Sequence, residues 1–476
     1  MQTNLILLAD AYKYSHHKLY APGTTKVYSY LESRGGEFDE TVFFGLQYII
    51  KKYLQGVVIT KEKIDEAAYY MHNIFGRDDV FSAANFQYII DKHQGRLPVT
   101  IKAVNEGSVV PVHNALMVIE NNDPNCFWLT NFLETILMQV WYPVTVATLS
   151  ARIKEVVNLY YTETADDASK AGIDFVLNDF GFRGVSSVES AGIGGMAHLL
   201  SFKGSDTVIA NAFAREYYNA LHVPAASVPA TEHSVMTMKG EAGELDMFRH
   251  ILRMYPTGIV ACVSDSYNIF RACADYWGTE LKEEVLKRDG TLVIRPDSGD
   301  PALTLLSVFD ILFEKFGYQI NDKGYRVLPK QVRVIQGDGV NYDSILHIYQ
   351  VLKINGISAE NLVLGMGGAL LQKVDRDTQK FALKCSYAEI NGIGTDVRKN
   401  PVELNERGEI EPSFKQSKAG RLKLVQVNGQ FTTVREDEGI EERDHLETVF
   451  ANGELIKEYS FEEVQATLKQ NVRYTL

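Results

Sequence analysis

Between about residues 170 and 370 the chain repeats one pattern, a short apolar run, then a polar or glycine-rich turn, then a helical stretch. The runs are Ile173–Leu177 before Asn178-Asp-Phe-Gly-Phe-Arg183, Ala226–Val228 before Pro229-Ala-Thr-Glu-His233, and Gly258–Val263 before Ser264-Asp-Ser-Tyr267. They continue with Thr291–Ile294 before Arg295-Pro-Asp-Ser-Gly299, Val332–Ile335 before Gln336-Gly-Asp-Gly339, and Asn361–Leu364 before Gly365-Met-Gly-Gly368. Uninterrupted apolar runs predict strands buried on both faces, and helical stretches such as Pro301–Phe316 between them predict a parallel sheet. The fold class expected is α/β, an irregular (β/α) barrel-like core with an active site at the carboxyl ends of the strands. A doubly wound sheet is the alternative.

The flanking segments have a different rhythm. Lys26–Leu31 and Val99–Val104 are expected strands, and Trp128–Val140 a buried helix. Phe431–Arg435 is an expected strand, and Ser460-Phe-Glu-Glu463 a capping box opening a last helix. The expected organisation is residues 1–150 as the N-terminal part of an α+β domain, 151–384 as the barrel-like domain, and 385–476 packing with the N-terminal segment. The first ten residues, with an apolar run and no basic stretch, are expected to form a strand rather than a secretory signal.

Composition excludes several classes. The 476 residues carry 48 Lys and Arg against 61 Asp and Glu, a net charge of −13, which argues against general nucleic-acid binding. There is no apolar stretch of the roughly 18 residues a membrane span needs. Four cysteines, none in a C-x-x-C pair, suggest neither a structural zinc site nor a disulfide framework, and fit a cytoplasmic protein.

The turns after the runs carry the chemistry. Arg183, Arg295 and Arg333 are potential phosphate forks. Asp179, Asp265, Asp297 and Asp338 could hold Mg²⁺ or ribose hydroxyls. His233 is a candidate nucleophile or general base. Gly367 and Gly368, ahead of an expected helix from Ala369 to Asp377, could cradle a phosphate. Each feature alone is as well explained by ordinary turn chemistry. Together at successive strand ends they describe a site for a phosphorylated sugar with Mg²⁺.

Leu8-Ala-Asp-Ala-Tyr-Lys13, Asp179-Phe-Gly-Phe-Arg-Gly-Val-Ser-Ser187, Phe202-Lys-Gly-Ser-Asp-Thr-Val208, Ser227-Val-Pro-Ala-Thr-Glu-His-Ser234, Val263-Ser-Asp-Ser-Tyr267, Ile294-Arg-Pro-Asp-Ser-Gly299, Arg333-Val-Ile-Gln-Gly-Asp-Gly339 and Lys384-Cys-Ser-Tyr387 stand in an order that resembles the nicotinamide phosphoribosyltransferase family of type II phosphoribosyltransferases. The resemblance runs over nearly the whole chain. It implies conversion of nicotinamide and 5-phosphoribosyl-1-pyrophosphate to nicotinamide mononucleotide and pyrophosphate. It also implies Mg²⁺, a homodimer with shared active sites, and ATP as a coupled co-substrate acting through a phosphohistidine.

By the same resemblance, Phe180 and Tyr12, the latter from the other subunit, would sandwich the nicotinamide ring, and Asp206 would accept from its carboxamide. Arg183, His233 and Arg295 would surround the pyrophosphate. Arg295, Asp297, Gly337, Asp338 and Gly368 would hold the mononucleotide, with Arg376 of the other subunit on its phosphate. Ser227 is counted among the substrate-binding residues. His233 would be phosphorylated, oriented by Glu232 and Asp265, and Lys384, Lys399 and Lys415 would line the phosphate entrance. Met366 and Ala369 stand where serine and glycine are usual in the glycine loop.

Three other readings remain. A nicotinate-using relative would lack a reason for Asp206. A barrel lyase or isomerase would need a catalytic lysine or paired carboxylates at the strand ends. A non-catalytic binding protein on the same fold would be expected to lack Asp206, His233 or Arg295.

Overall fold

The computed structural model describes residues 3–405, 407–412, 417–439 and 441–471. The chain forms two compact units. One comprises Leu149–Glu216 and Ala220–Val374, the other Met1–Thr148, Tyr217–Asn219 and Asp375–Asn471.

The first unit is built on six parallel strands, β1 (Leu177–Asp179), β2 (Gly204–Ser205), β3 (Thr257–Val263), β4 (Asp289–Arg295), β5 (Val332–Gln336) and β6 (Leu362–Met366). Their spatial order is β2-β1-β6-β5-β4-β3. The segment Ala226–Thr231 bridges both edges, Ala226 to Gly204 and Ala230 to Ala261, both in parallel sense. Four backbone hydrogen bonds of 2.7–3.1 Å accompany the bridges, so this stave closes the curled sheet. The apolar runs therefore form a parallel barrel-like sheet, as their continuity requires.

Alternate residues explain the packing. Leu292 and Ile294 of β4, and Val332 and Val334 of β5, are fully buried beneath helices such as Pro301–Phe316 and Tyr342–Ile354. The opposite face carries Ala261, Val293 and Ile335, with Val363 and Phe180 packed on them. Small and β-branched side chains suit the inside of a tightly curled sheet. The helix Pro301–Phe316 starts where Asp300 accepts from the Leu303 N–H at 2.9 Å and Pro301 occupies the first turn. The Tyr342–Ile354 helix opens on a reciprocal Asn341–Ser344 capping box.

Two local expectations fail. Residues 167–175 form a 3₁₀ segment, and the first strand starts only at Leu177. The expected helix after Gly368 stops at Leu371. Further along, the Asp375 carboxylate accepts from the Asp377 and Thr378 N–H groups at 2.8 and 2.9 Å, a turn that competes with helix.

The second unit holds a seven-stranded antiparallel sheet ordered Ile393–Asp396, Phe381–Ile390, Thr24–Ser33, Ala115–Asn121, Val99–Ala103, Glu447–Ala451, Glu454–Leu455. The expected boundary at 384 falls inside the strand Phe381–Ile390, which pairs with Thr24–Ser33 along its length. The N-terminal apolar run is a 3₁₀ turn, Leu5–Leu7, capped by the Asn4 side chain on the Ile6 N–H, not a strand. Ser460 and Glu463 form the expected capping box, with hydrogen bonds of 2.7 and 3.2 Å. No single described helix is long and apolar enough to cross a membrane. The bent pair Pro124–Met138 and Trp141–Thr164 passes that test by length and composition.

Candidate active site

At the carboxyl ends of the parallel strands the turns place their polar groups together. Asp265, just past β3, is the hub. Its Oδ1 lies 3.0 Å from His233 Nε2, and its Oδ2 accepts from the Asp297 N–H at 3.1 Å and the Ser298 hydroxyl at 2.7 Å. The Asp265 side chain is 4% exposed, whereas His233 is half exposed. A carboxylate saturated by three donors and largely removed from water is a rigid support for the imidazole. With Nε2 donating to Asp265, the lone pair of Nδ1 is the one left for other chemistry. Glu232 is bonded to the Ser234 hydroxyl instead of to His233.

Arg295, ending β4, directs Nε and Nη2 to Asp297 Oδ1 at 3.2 and 2.9 Å. Its guanidinium carbon also stands 5.5 Å from the centre of the Phe180 ring. Gly337, after β5, leaves room for this guanidinium, because a Cβ there would sit 3.0 Å from Arg295 Nη2. Asp338 is exposed, and its carboxylate makes no hydrogen bond or ion pair among the described residues. Arg183 is likewise exposed and unpaired in the 3₁₀ turn Phe182–Gly184.

Phe180 follows β1. Its N–H donates to the Met366 carbonyl at 3.0 Å, and its ring lies against Gly365 of β6. A Cβ on Gly365 would be 2.0 Å from Phe180 Cε2, so this glycine creates the seat for the ring. The sequence reading missed that role; its signal was a glycine inside an otherwise apolar strand. Gly367 and Gly368 follow, and Gly368 has open space where a side chain would stand. Met366, in place of the usual serine, is buried. Asp206, after β2, donates its N–H to the Asp179 carbonyl at 2.9 Å and accepts from the Ser227 hydroxyl at 2.5 Å.

Asp179 itself is fully buried. Its Oδ1 accepts from the Gly181 N–H at 2.7 Å, while its Oδ2 has no close hydrogen-bond partner. Burial pushes its pKa up to about 6 against the hydrogen bonds of the Gly181 N–H and the Thr207 hydroxyl, and the charge of Asp206 adds to the effect.

One expected residue is placed elsewhere. Arg333 is the second residue of β5, not in the turn after it. Its Nη1 donates to the carbonyls of Leu328, Pro329 and Val332 at 2.8–3.2 Å, at the amino end of the strand. Burial holds its pKa below the usual guanidinium value. Arg333 is therefore a backbone clamp at the opposite end of the sheet, and the phosphate-fork expectation for it is corrected.

Four expected residues belong to the antiparallel unit. Tyr12 is 57% exposed and meets His16 edge-on at 5.0 Å. Arg376 is exposed and pairs with Asp377 at 3.0 Å. Lys384 is half-buried and donates to the Leu383 carbonyl at 3.0 Å. Burial lowers its pKa, and the charges of Arg34, Lys399 and Lys13 act in the same direction against that of Glu134. These cations thus share one neighbourhood. Lys399 is exposed. Lys415 lies outside the described residues.

Among the described residues one His/Cys/Asp/Glu group, His93, Asp123 and Cys126 of the antiparallel unit, has metal-ligand spacing. Its nitrogen and sulfur donors do not suit Mg²⁺. Asp123 is already saturated by His93, Tyr88 and Asn125, through hydrogen bonds of 2.7–3.2 Å.

A closed parallel sheet bearing arginines, carboxylates and glycine turns at its carboxyl mouth is the architecture of the type II phosphoribosyltransferases. A nicotinate-nucleotide pyrophosphorylase from Pyrococcus furiosus superposes with a TM-score of 0.60 at 14% identity, covering 99% of this chain and 96% of that one. Human nicotinic acid phosphoribosyltransferase gives 0.56 at 16% identity, covering 98% and 94%. The model of the nicotinate phosphoribosyltransferase (NAPRTase) family matches residues 175–454, and that of the nicotinamide phosphoribosyltransferase N-terminal domain matches residues 4–101. A nicotinamide phosphoribosyltransferase of Xanthomonas campestris pv. campestris is 46% identical over 97% of each chain, and one of Acinetobacter baylyi 33% identical over 97% of this chain and 96% of its own. The chain belongs to the nicotinate phosphoribosyltransferase family, on its nicotinamide phosphoribosyltransferase branch.

Proposed function

We propose that this enzyme joins nicotinamide to the ribose of 5-phosphoribosyl-1-pyrophosphate, releasing pyrophosphate and forming nicotinamide mononucleotide for NAD salvage. The observation that carries the reading is Asp206, an acceptor-only group tied through Asp179 to the Phe180 ring seat. A carboxylate there accepts from the carboxamide N–H₂ and repels the carboxylate of nicotinate. Two unit charges about 4 Å apart at an effective dielectric near 20 interact by about 4 kcal/mol, roughly a thousandfold preference.

In the reaction the pyridine nitrogen donates its electron pair to C1′ as the C1′–O bond breaks, and that bond's electrons leave on pyrophosphate. Phe180 and Tyr12 hold the ring in line. Arg295 and Arg183 stabilise the charge growing on pyrophosphate. Asp297, Asp338 and the turns at Gly337, Gly367 and Gly368 hold the ribose phosphate. Hard oxygen donors fit Mg²⁺, which takes one or two carboxylates together with substrate phosphates. The free carboxylate of Asp338 and that of Asp297 would hold it, and the ion would neutralise pyrophosphate charge.

ATP coupling belongs to the same proposal. His233 Nδ1 would take the γ-phosphoryl group as ADP leaves, with Asp265 holding the ring through Nε2. A homodimer is part of the same proposal. In that dimer Tyr12 and Arg376 would serve the other subunit's site, with Lys384, Lys399 and Lys415 lining the phosphate entrance. A cytoplasmic location completes the proposal.

The test is mononucleotide formation from nicotinamide or nicotinate, each with phosphoribosyl pyrophosphate and Mg²⁺, with and without ATP. Product from nicotinamide, stimulated by ATP, is expected. Preference for nicotinate would overturn the role of Asp206 and with it the substrate assignment.

A further inference from the structure

Within the parallel unit two groups recognise the ring in the proposed site, Phe180 by stacking and Asp206 by hydrogen bonding, and both hang from one residue. Asp179 holds the turn after β1 through its Oδ1, which accepts from the Gly181 N–H at 2.7 Å. It holds the turn after β2 through its carbonyl oxygen, which accepts from the Asp206 N–H at 2.9 Å. The side-chain bond fixes the residue after Phe180 and the main-chain bond fixes Asp206. We propose that Asp179 is the positioning residue that sets Phe180 against Asp206, and that its carboxylate adds to the discrimination of a ring amide from a ring acid. The proposal rests on the phosphoribosyltransferase reading above and deepens it.

The arrangement is poor if Asp179 serves the fold alone. Its Oδ2 is buried without a close hydrogen bond, and the Thr207 hydroxyl, next after Asp206, is the side-chain donor that acts on the carboxylate. Asparagine would keep the acceptor for Gly181 and carry no charge. A carboxylate buried with one close hydrogen bond costs the fold more than a neutral, isosteric amide would. The helix Val188–His198 brings Gly195 close to the carboxylate. A Cβ at Gly195 would stand 3.3 Å from Asp179 Oδ2 and 2.8 Å from Ala210 Cβ. The charged side chain that acts on Asp179 is Asp206. The helix over it contributes His198, whose ring nitrogens are engaged by Ser150 and the Gly204 carbonyl, and the exposed neighbour Ser227 adds no charge. The chain thus places a second carboxylate behind the first, on the side of the site where an anionic ring substituent would lie.

The test compares Asp179→Asn with Asp179→Ala in the full-length enzyme. Kinetics are measured with nicotinamide and nicotinate, and calorimetry measures the binding of each ring ligand. Asp179→Asn is expected to lower the nicotinamide-to-nicotinate ratio of kcat/KM on the order of tenfold, the scale of one charge roughly 10 Å away at an effective dielectric near 20. The change should lie mostly in nicotinate. Asp179→Ala, which also frees the Gly181 N–H, should weaken both ring ligands, with a larger effect on their KM than on that for phosphoribosyl pyrophosphate. Unchanged ratios and affinities in Asp179→Asn, with wild-type ring binding in Asp179→Ala, would overturn the proposal. If the wild-type enzyme formed no product from either substrate, the functional reading would fall. The positioning claim would then be decided by calorimetry and by whether Phe180 and Asp206 move apart in a crystal structure of Asp179→Ala.

Discussion

Gly365→Ala is the sharpest perturbation of the ring subsite, because it adds one methyl group at a defined place. The new Cβ would lie 2.0 Å from Phe180 Cε2, 2.3 Å from Cδ2 and 3.0 Å from Cζ. Ordinary contact begins near 3.4 Å, so ring and methyl must separate by about 1.4 Å. The strand cannot supply this, because β6 is paired on both sides, with β1 and with β5. The ring cannot sink, because it already packs on Ala261, Val293 and Ile335. It must swing outward, into the space assigned to the pyridine. A misplacement of about 1 Å at a reacting group costs roughly a hundredfold, so kcat/KM for nicotinamide should fall by about that factor. Overpacking should cost about 1–3 kcal/mol of stability. Initial rates over a nicotinamide series, with thermal unfolding alongside, measure both. Gly172→Ala is the control, since nothing lies within 4 Å of its added Cβ. A Gly365→Ala enzyme with wild-type kcat/KM for nicotinamide and an unchanged melting temperature would show that Phe180 is not the ring platform.

Asp179 carries a pH signature of its own. Its folded pKa, about 6, is raised above the ordinary 3.8. The ionised form therefore costs stability above pH 6, and the cost is relieved as pH falls from about 6 towards 4. Asp179→Asn should be more stable than wild type at pH 7.5 by up to about 3 kcal/mol. The difference should shrink below pH 5, as chemical denaturation at several pH values would report; a constant difference would refute the assignment. Arg333→Met should cost about 2–4 kcal/mol through the carbonyls it leaves unbonded, with little change in KM for phosphoribosyl pyrophosphate; a large KM effect in a stable variant would restore the fork reading. Asp265→Asn should reduce ATP stimulation more than ATP-independent turnover, and acid-labile labelling of His233 from γ-labelled ATP should fall with it.

The parallel core was legible because strands buried on both faces are mostly apolar and six such runs occur, although the short strand Gly204–Ser205 had none. Even the irregular stave Ala226–Thr231 carried the pattern. The misplaced elements share a physical cause. Leu5–Leu7 is too short an apolar run to outweigh the Asn4 side chain, which turns the backbone into a 3₁₀ cap. Ile173 and Phe175 flank Asp174, which pairs with Lys154, and the chain reaches the sheet only at Leu177. Arg333 lies inside its apolar run, whereas Arg295 ends one, and only register decides which end of the sheet a side chain serves. The identities of Phe180, Asp206, His233 and Asp265 were visible as motifs. The Gly365 seat and the Asp179 tether were not, because both are contacts between strands far apart in sequence.

The buried polar atoms left without partners tell the same story from the side of stability. Among the described residues of the parallel unit they are on Asp179, Thr207, Ser266 and Gln336, and also on Asn158, Glu244, Arg271, Arg288 and Tyr349. The first four end a parallel strand or stand in the turn after one, whereas Arg288 precedes β4 and Asn158 and Tyr349 lie within helices. A fold selected for stability alone would satisfy such groups or replace them with apolar ones. The four at the carboxyl ends hold hydrogen-bonding capacity there against the interest of the fold. That bias picks out the same strand ends as the arginines, the histidine and the glycine turns. At these four positions, what the exposed groups can do and where buried groups lack a close hydrogen bond coincide.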